Sequence, residues 1–234
     1  MAHVSAVLRR PSVKVLGIIP ARGGSKAIPR KNLVSLGGKP LIQWTIDAAS
    51  RSRLSRFIVS TDDAEIAQIA KSLQAEVPGL RPKHLATDDA KTIDVVQHVL
   101  ERSDPVDAVM VLQPTSPFRT SDDINACIEM LDTSDADSVI SVVDVGGFHP
   151  ARMKYLEAGE LVDPIFAEAI ENQPRQELRP MYIRNGAIYL TRSAAIRQGT
   201  FKGKKSLGYV MPVERSINID DPFDLQLAVA MLSA

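Results

Sequence analysis

The sequence predicts an α/β fold, a mostly parallel sheet with helices covering both faces. Three observations predict it. Short apolar runs alternate with helix-period segments between Val13 and Val143, the βαβα order of such a sheet. The strongest runs, Val13 to Ile19 and Asp107 to Leu112, are near-continuously apolar, as strands buried on both sides must be. Finally, basic and hydroxyl-bearing loops follow these runs, and in open α/β sheets ligands bind beyond the carboxyl ends of the strands.

Each element can be argued in turn. After the first strand, Ile42, Thr45, Ile46 and Ala49 follow helical spacing, and Arg56 to Ser60 reads as the next strand. Ile66, Ile69, Ala70 and Leu73 mark a second helix, and Thr92 to Arg102 a third, leading to the strand at Asp107 to Leu112. Ser121 opens a fourth helix, with Asp122 and Asp123 at its positive end. Ser138 to Val143 is another strand. The rhythm then breaks: residues 146–184 hold Pro150, Pro164, Pro174 and Pro180, little periodicity and several exposed-looking apolar residues. A stretch this long without clear regular structure is usually functional. Strands resume at Ala187 to Leu190 and Tyr209 to Val213, and Leu225 to Leu232 forms a closing helix. Residues 1–12 read as a flexible arm, and residues 13–234 as one domain with an insert at about 146–184.

The loop from Ile18 to Asn32 carries the most chemistry. It holds four cations (Arg22, Lys26, Arg30, Lys31), the pair Gly23-Gly24 and the hydroxyl of Ser25. Glycines let the main chain approach phosphate oxygens, successive N–H groups can form an anion-binding nest, and the cations supply the rest of the neutralisation. Neither G-x-x-x-x-G-K-[ST] nor G-x-G-x-x-G is present, so a P-loop or dinucleotide-binding fold is not supported.

Four further segments sit where strands end or helices begin. Arg81 to Asp88 brings cations and hydroxyls to the start of a helix, where Thr92 either contacts a ligand or caps the helix. Leu112-Gln113-Pro114-Thr115-Ser116-Pro117 follows the strongest strand, and Gln113 offers both a donor and an acceptor on a loop stiffened by prolines. Asn185-Gly186 precedes a strand and permits positive φ. In Ser216 to Asp224, alternation through Ile217 and Ile219 puts Asn218 and Asp220 on one face of a short strand, where they suit a hard cation or a solvated turn. Asp221 before Pro222 reads as the cap of the last helix.

Composition narrows the classes. With 28 acidic and 28 basic residues the net charge is zero, so bulk attraction to nucleic acid or anionic lipid is not indicated. The lone Cys127 shares an apolar helical face with Ile124, Ile128 and Leu131, which excludes an intrachain disulfide framework and suits a reducing compartment. No run reaches the roughly 18 to 20 apolar residues of a membrane span, and residues 1–12 lack a signal-peptide core, so a cytoplasmic protein is expected. His3, His84, His98 and His149 show no metal-ligand spacing.

Together these segments resemble the CMP-sialic acid synthetase family (acylneuraminate cytidylyltransferases). The resemblance rests on Pro20 to Asn32, Arg81-Pro82 with Leu85 to Asp88, Leu112 to Pro117, Asn185 to Tyr189, and Ile219-Asp220 with Asp224-Leu225, in order along the chain. It implies a Rossmann-like nucleotidyltransferase fold and a Mg²⁺-dependent reaction of CTP with a nine-carbon 2-keto sugar acid, giving the CMP-sugar and pyrophosphate. By motif, Arg22, Gly24, Ser25, Lys26 and Asn32 would hold the triphosphate, with Arg22, Lys26 and Asp220 as the catalytic set. Arg81 and Thr92 would contact the cytidine, Gln113 and Asn185 the sugar acid, and Asp220 the metal. The insert resembles the family's dimerisation element, from which Arg175 would reach the sugar carboxylate across a homodimer interface. One departure stands out: many relatives carry Asp-Ile-Asp where this chain has Asn218-Ile219-Asp220, which leaves Asn218 as a neutral ligand candidate. Two alternatives remain open at this point, an eight-carbon keto acid substrate and a catalytically impaired nucleotide-binding dimer.

Overall fold

Strand β1 (Val15–Pro20) is buried from Val15 to Ile19: it has a parallel neighbour on each side, β4 (Arg56–Ser60) and β5 (Ala108–Leu112), and its alternate residues enter core clusters on both faces. The computed structural model describes residues 13–233; the arm expected at residues 1–12 lies outside them. The six-stranded sheet has the order β10-β6-β9-β5-β1-β4, with β6 spanning Ser138–Asp144, β9 Tyr182–Arg192 and β10 Ser206–Val210. β9 lies antiparallel to both β5 and β6, and the other pairings are parallel.

The pleat sorts alternate residues onto two faces. Val15 and Ile19 of β1, with Met110 and Leu112 of β5, pack under three helices: α1 (Leu41–Ser50), α2 (Ala64–Ser72) and α4 (Ser121–Asp132). Leu16, Ile18, Val109 and Val111 point the other way, against α3 (Thr92–Glu101) and the short α5 (Ser193–Arg197). Cys127 lies wholly buried under the first face, and burial pushes its thiol pKa far up, so it is an inert packing group. A third, smaller cluster (Ile28, Leu36, Leu41, Ile219, Ala228) joins the basic loop to the start of α6 (Pro222–Leu232). That cluster brings two segments from opposite ends of the chain side by side.

Several bounds differ from the sequence reading. β9 is longer than Ala187 to Leu190 and begins inside the expected insert. It carries an irregularity at its pairing with Ile140 and Val142, opposite Asn185-Gly186-Ala187, where Gly186 has φ +80. The tenth strand ends at Val210 rather than Val213, since a tight turn at Val213–Arg215 follows Pro212. Residues 216–221 are not a strand. They run extended without a ladder, tied by the Ile219 N–H donating to the Thr115 carbonyl at 2.7 Å. The insert is also less irregular than expected. It holds a hairpin, β2 and β3 of the chain having already appeared as a two-residue pair (Ser35–Leu36 and Lys39–Pro40), so its strands are β7 (Tyr155–Glu157) and β8 (Glu160–Val162). The turn between them places Ala158 and Gly159 at positive φ, the geometry of a tight two-residue hairpin.

Candidate active site

The carboxyl ends of β1 and β5 open into a cleft of about 410 Å³. One wall is the loop after β1, contributing Arg22, Gly24, Ser25, Lys31 and Asn32. A second is the segment from Arg81 to Thr92, and the floor is Gln113-Pro114-Thr115. Asn218 and Asp220 close the far side. The expected site residues Arg22, Gly24, Ser25, Asn32, Arg81, Thr92, Gln113, Asn218 and Asp220 therefore share one cavity.

The loop owes its shape to three devices. Arg30 takes the left-handed conformation (φ 54) before the turn Lys31–Leu33, and its guanidinium ties to Asp63 at 3.2 Å and Glu65 at 2.8 Å. Asp63 is held ionised below its usual range, chiefly by the Ile66 N–H it caps, against a smaller desolvation effect and with help from Arg30. Asn32, almost buried, donates to the Arg22 carbonyl at 2.9 Å. Its role is to hold the loop that carries Arg22 as well as to line the cleft. The two glycines have different reasons. A Cβ on Gly23 would meet the Asp63 carboxylate at 2.6 Å, and its N–H donates to Asp62 at 3.0 Å, so Gly23 serves packing. Gly24 has open space around it and faces the cleft. Neither is among the positive-φ residues.

At the mouth, Asp88 accepts from Arg22 Nη1 at 2.7 Å and pairs with Lys26 Nζ at 2.6 Å. The Lys26 contact, then that of Arg22, holds the Asp88 carboxyl below the usual carboxylate range. Lys26 is 83% exposed and stands at the rim rather than in the lining. Thr92 is the first residue of α3 and Lys91 occupies the cap position, so the Thr92 hydroxyl is not the cap.

Arg81 is 8% exposed, and its guanidinium donates to the carbonyls of Ser60 at 3.0 Å and Leu85 at 3.2 Å. It braces the segment that forms the second wall. On the floor, Gln113 lies over Gly186, whose absent Cβ would stand 2.9 Å from Gln113 Oε1. The buried Arg119 donates to the carbonyls of Gln113 at 3.3 Å and Ala187 at 2.8 Å, and to Thr45 at 2.7 Å, locking the proline loop onto β9. Burial lowers the Arg119 pKa to about 10, which leaves it charged at neutral pH.

Asn185 does not reach the cleft. Its Oδ1 accepts from Ser141 Oγ at 2.6 Å and from the Ala187 N–H at 3.2 Å, while its Nδ2 donates to Ser216 at 3.0 Å. With the amide hydrogen-bonded in the interior, it braces the irregularity in β9 and does not line the cleft of the single chain. Arg175 also lies elsewhere, 3.2 Å from Asp144 in a separate pocket of the insert. Within one chain it is not part of the cleft.

Lys31 was not singled out among the four cations, yet it bridges the two ends of the site. Its Nζ donates to the Ile219 carbonyl at 2.9 Å and to Asp220 Oδ1 at 3.0 Å. Asp220 also accepts from Asn218 Nδ2, and its own N–H donates to Asp224 at 2.9 Å. No group of three or more His, Cys, Asp or Glu converges to hold a metal among the described residues. One carboxylate beside an amide nevertheless fits Mg²⁺, which favours one or two carboxylates completed by substrate phosphates and water. Turning the Asn218 amide about its last bond presents oxygen in place of nitrogen.

The sequence model of the family described as Cytidylyltransferase matches residues 16–197. CMP-N,N'-diacetyllegionaminic acid synthase of Legionella pneumophila is 35% identical over 228 residues, covering 94% of this chain and 97% of that protein. N-acylneuraminate cytidylyltransferase of Escherichia coli O18:K1:H7 is 32% identical over 220 residues, and there the chain spans only 52% of the relative's length. Among solved structures, CMP:2-keto-3-deoxy-manno-octonic acid synthetase complexed with CTP superposes with a TM-score of 0.70 at 16% identity, covering 94% of this chain and 98% of that one. At that identity the likeness shows the fold.

Proposed function

This chain belongs to the cytidylyltransferase family, and from that premise we propose that it joins CTP to a nine-carbon 2-keto sugar acid, releasing pyrophosphate. The observation that carries the reading is the single cleft in which Arg22, Gly24 and Ser25 face Asp220 and Asn218 across the floor residue Gln113. A triphosphate is a polyanion and a sugar acid carries a single carboxylate, and this cleft offers cations on one wall with a carboxylate opposite. The choice of a nine-carbon over an eight-carbon acid rests on the two relatives at 32–35% identity.

Transfer of a nucleotidyl group needs charge neutralisation and in-line placement more than covalent catalysis. Arg22 and Lys26 exchange Asp88 for the β- and γ-phosphates and stabilise the leaving pyrophosphate. Ser25 and the Gly24 backbone pack against the same oxygens. Gln113, pinned through Arg119, orients the sugar acid so that its anomeric hydroxyl approaches the α-phosphorus opposite the pyrophosphate. Lys31 holds the Asp220 carboxylate in place. Mg²⁺ held by Asp220, with Asn218 as a neutral neighbour, would supply Lewis-acid neutralisation of the phosphate oxygens.

We further propose that two chains pair through the insert. Phe148 is 85% exposed, Ile165 is fully exposed, and Leu156, Leu161 and Ile170 are mostly so, more apolar surface than one element of a monomer ordinarily leaves open. Pairing would cover this surface and let Arg175 serve the partner's cleft. No helix among the described residues is long and apolar enough to cross a membrane.

The test is pyrophosphate release from CTP and Mg²⁺ with a panel of nine- and eight-carbon keto sugar acids. Release with a nine-carbon acid is expected. Release only with the eight-carbon acid would move the substrate class, and CTP binding without turnover on any acid would overturn the enzyme reading.

A further inference from the structure

A second cavity, of about 420 Å³, shares Arg81 with the cleft and lies along the edge strand β4, between residues 78–82 and the end of α3. Its ionisable lining consists of Arg56, Arg81, His98 and Arg102, and no carboxylate lines it among the described residues. The rest is chiefly apolar, from Pro78, Leu80 and Val99.

The cations differ in how they are satisfied. Arg56 already pairs with Glu76 at 2.6 Å and Asp104 at 3.4 Å, and Arg102 lies 3.8 Å from Glu101. Arg81 has no ion pair among the described residues; Asp62 acts on it only as a more distant charge. The Nε of Arg56 and of Arg81 is buried without a hydrogen-bond partner in each case. Burial, and behind it the Arg102 charge, holds the His98 imidazole below its usual range, with Glu101 pulling the other way and His84 and Arg81 adding to the lowering. A largely buried guanidinium with no ion pair among the described residues, beside further cations and no lining carboxylate, favours an anion. The apolar remainder favours one with a carbon body.

We propose that this cavity is a second ligand site, which takes a small organic anion with an apolar body and is coupled to the cleft through Arg81. The coupling has a physical route. The same guanidinium holds the carbonyls of Ser60, at the end of β4, and Leu85, in the cleft wall. An anion drawing on Arg81 loads both contacts at once. By linkage, whatever factor it imposes on cleft binding is returned on its own binding.

The test is calorimetric titration of phenyl phosphate into the full chain, with and without saturating CTP. Arg102→Ala and Ser103→Glu alter the cavity and touch none of the cleft lining. One-to-one binding that persists under CTP with a changed affinity is expected, weakened about tenfold in Arg102→Ala and more in Ser103→Glu. Retained CTP binding by both variants shows that they fold and separates this result from any failure of turnover. Absence of binding, loss of binding under CTP, or equal affinity in the variants would overturn the second site. An affinity identical with and without CTP would overturn the coupling.

Discussion

At the scale of single residues, Arg22 and Lys26 share Asp88, and both pairs are substantially exposed, so their own worth is small. In the proposed reaction a triphosphate, with several charges and many acceptors, would displace Asp88 readily. Because Asp88 titrates below the usual carboxylate range, its pairs persist through neutral pH and are lost only as pH falls through that lowered value. Lys26→Ala should cut turnover at saturating CTP by about 10²-fold if the lysine stabilises charge on the departing pyrophosphate; an unchanged kcat would remove it from the catalytic set. Asp220→Asn should raise the Mg²⁺ concentration for half-maximal rate by about tenfold, the loss of one charged ligand interaction, and an unaltered Mg²⁺ titration would place the metal elsewhere. That Arg22 and Gln113 line the cleft was legible in the sequence because both follow buried strands, whereas Asp220 was nominated from alternation on a short strand that the structure replaces by an extended, unpaired segment. The bridge from Lys31 to Asp220 was not, since it joins positions 189 residues apart and only the third core cluster brings them together.

At the scale of elements, the floor of the site depends on β9. Asn185-Gly186 was legible as a pair permitting positive φ, which Gly186 adopts, but not as the irregularity inside a long antiparallel strand that seats Gln113. Gly186→Ala would strain the backbone at φ +80 and press a methyl on Gln113, so kcat/KM for the sugar acid should fall about tenfold or more while CTP affinity is kept. Equal losses for both substrates would contradict a local effect on Gln113. The N-terminus of α4 offers a stability test. Thr120 and Asp123 form a capping box, and the wholly buried Asp123 also holds Arg215 at 2.7 Å and Tyr209 at 2.9 Å. Burial raises the Asp123 pKa most, but Arg215, Thr120 and Tyr209 together outweigh it and leave the value lowered. Its stabilisation is therefore full above the ordinary carboxylate pKa and fades as pH drops through the lowered one. Asp123→Asn should cost about 3 kcal/mol, read as a drop of roughly 6–12 °C in melting temperature at neutral pH. A difference from wild type that stays constant down to strongly acidic pH would refute the charge as its source.

At the scale of the whole molecule, alternation of apolar runs and helical periods was enough to read the mostly parallel sheet and its two helical layers, because each face is covered by a separate core cluster. The place of β9 between β5 and β6 was beyond reach, since nothing local tells an antiparallel interior strand from a parallel one. The break in rhythm over residues 146–184 was legible through its prolines, and the hairpin within it was not, as three-residue strands are too short for periodicity. If pairing covers this surface, the chain should run as a dimer in light scattering, and Ile165→Asp should yield a folded monomer; a wild-type monomer at micromolar concentration would contradict the pairing. The most direct test of the central claim is mass analysis of the products formed from CTP, Mg²⁺ and a nine-carbon keto sugar acid. The account predicts a CMP-linked sugar acid and one equivalent of pyrophosphate. Hydrolysis of CTP with the sugar left unmodified, or no reaction despite bound CTP, would contradict it.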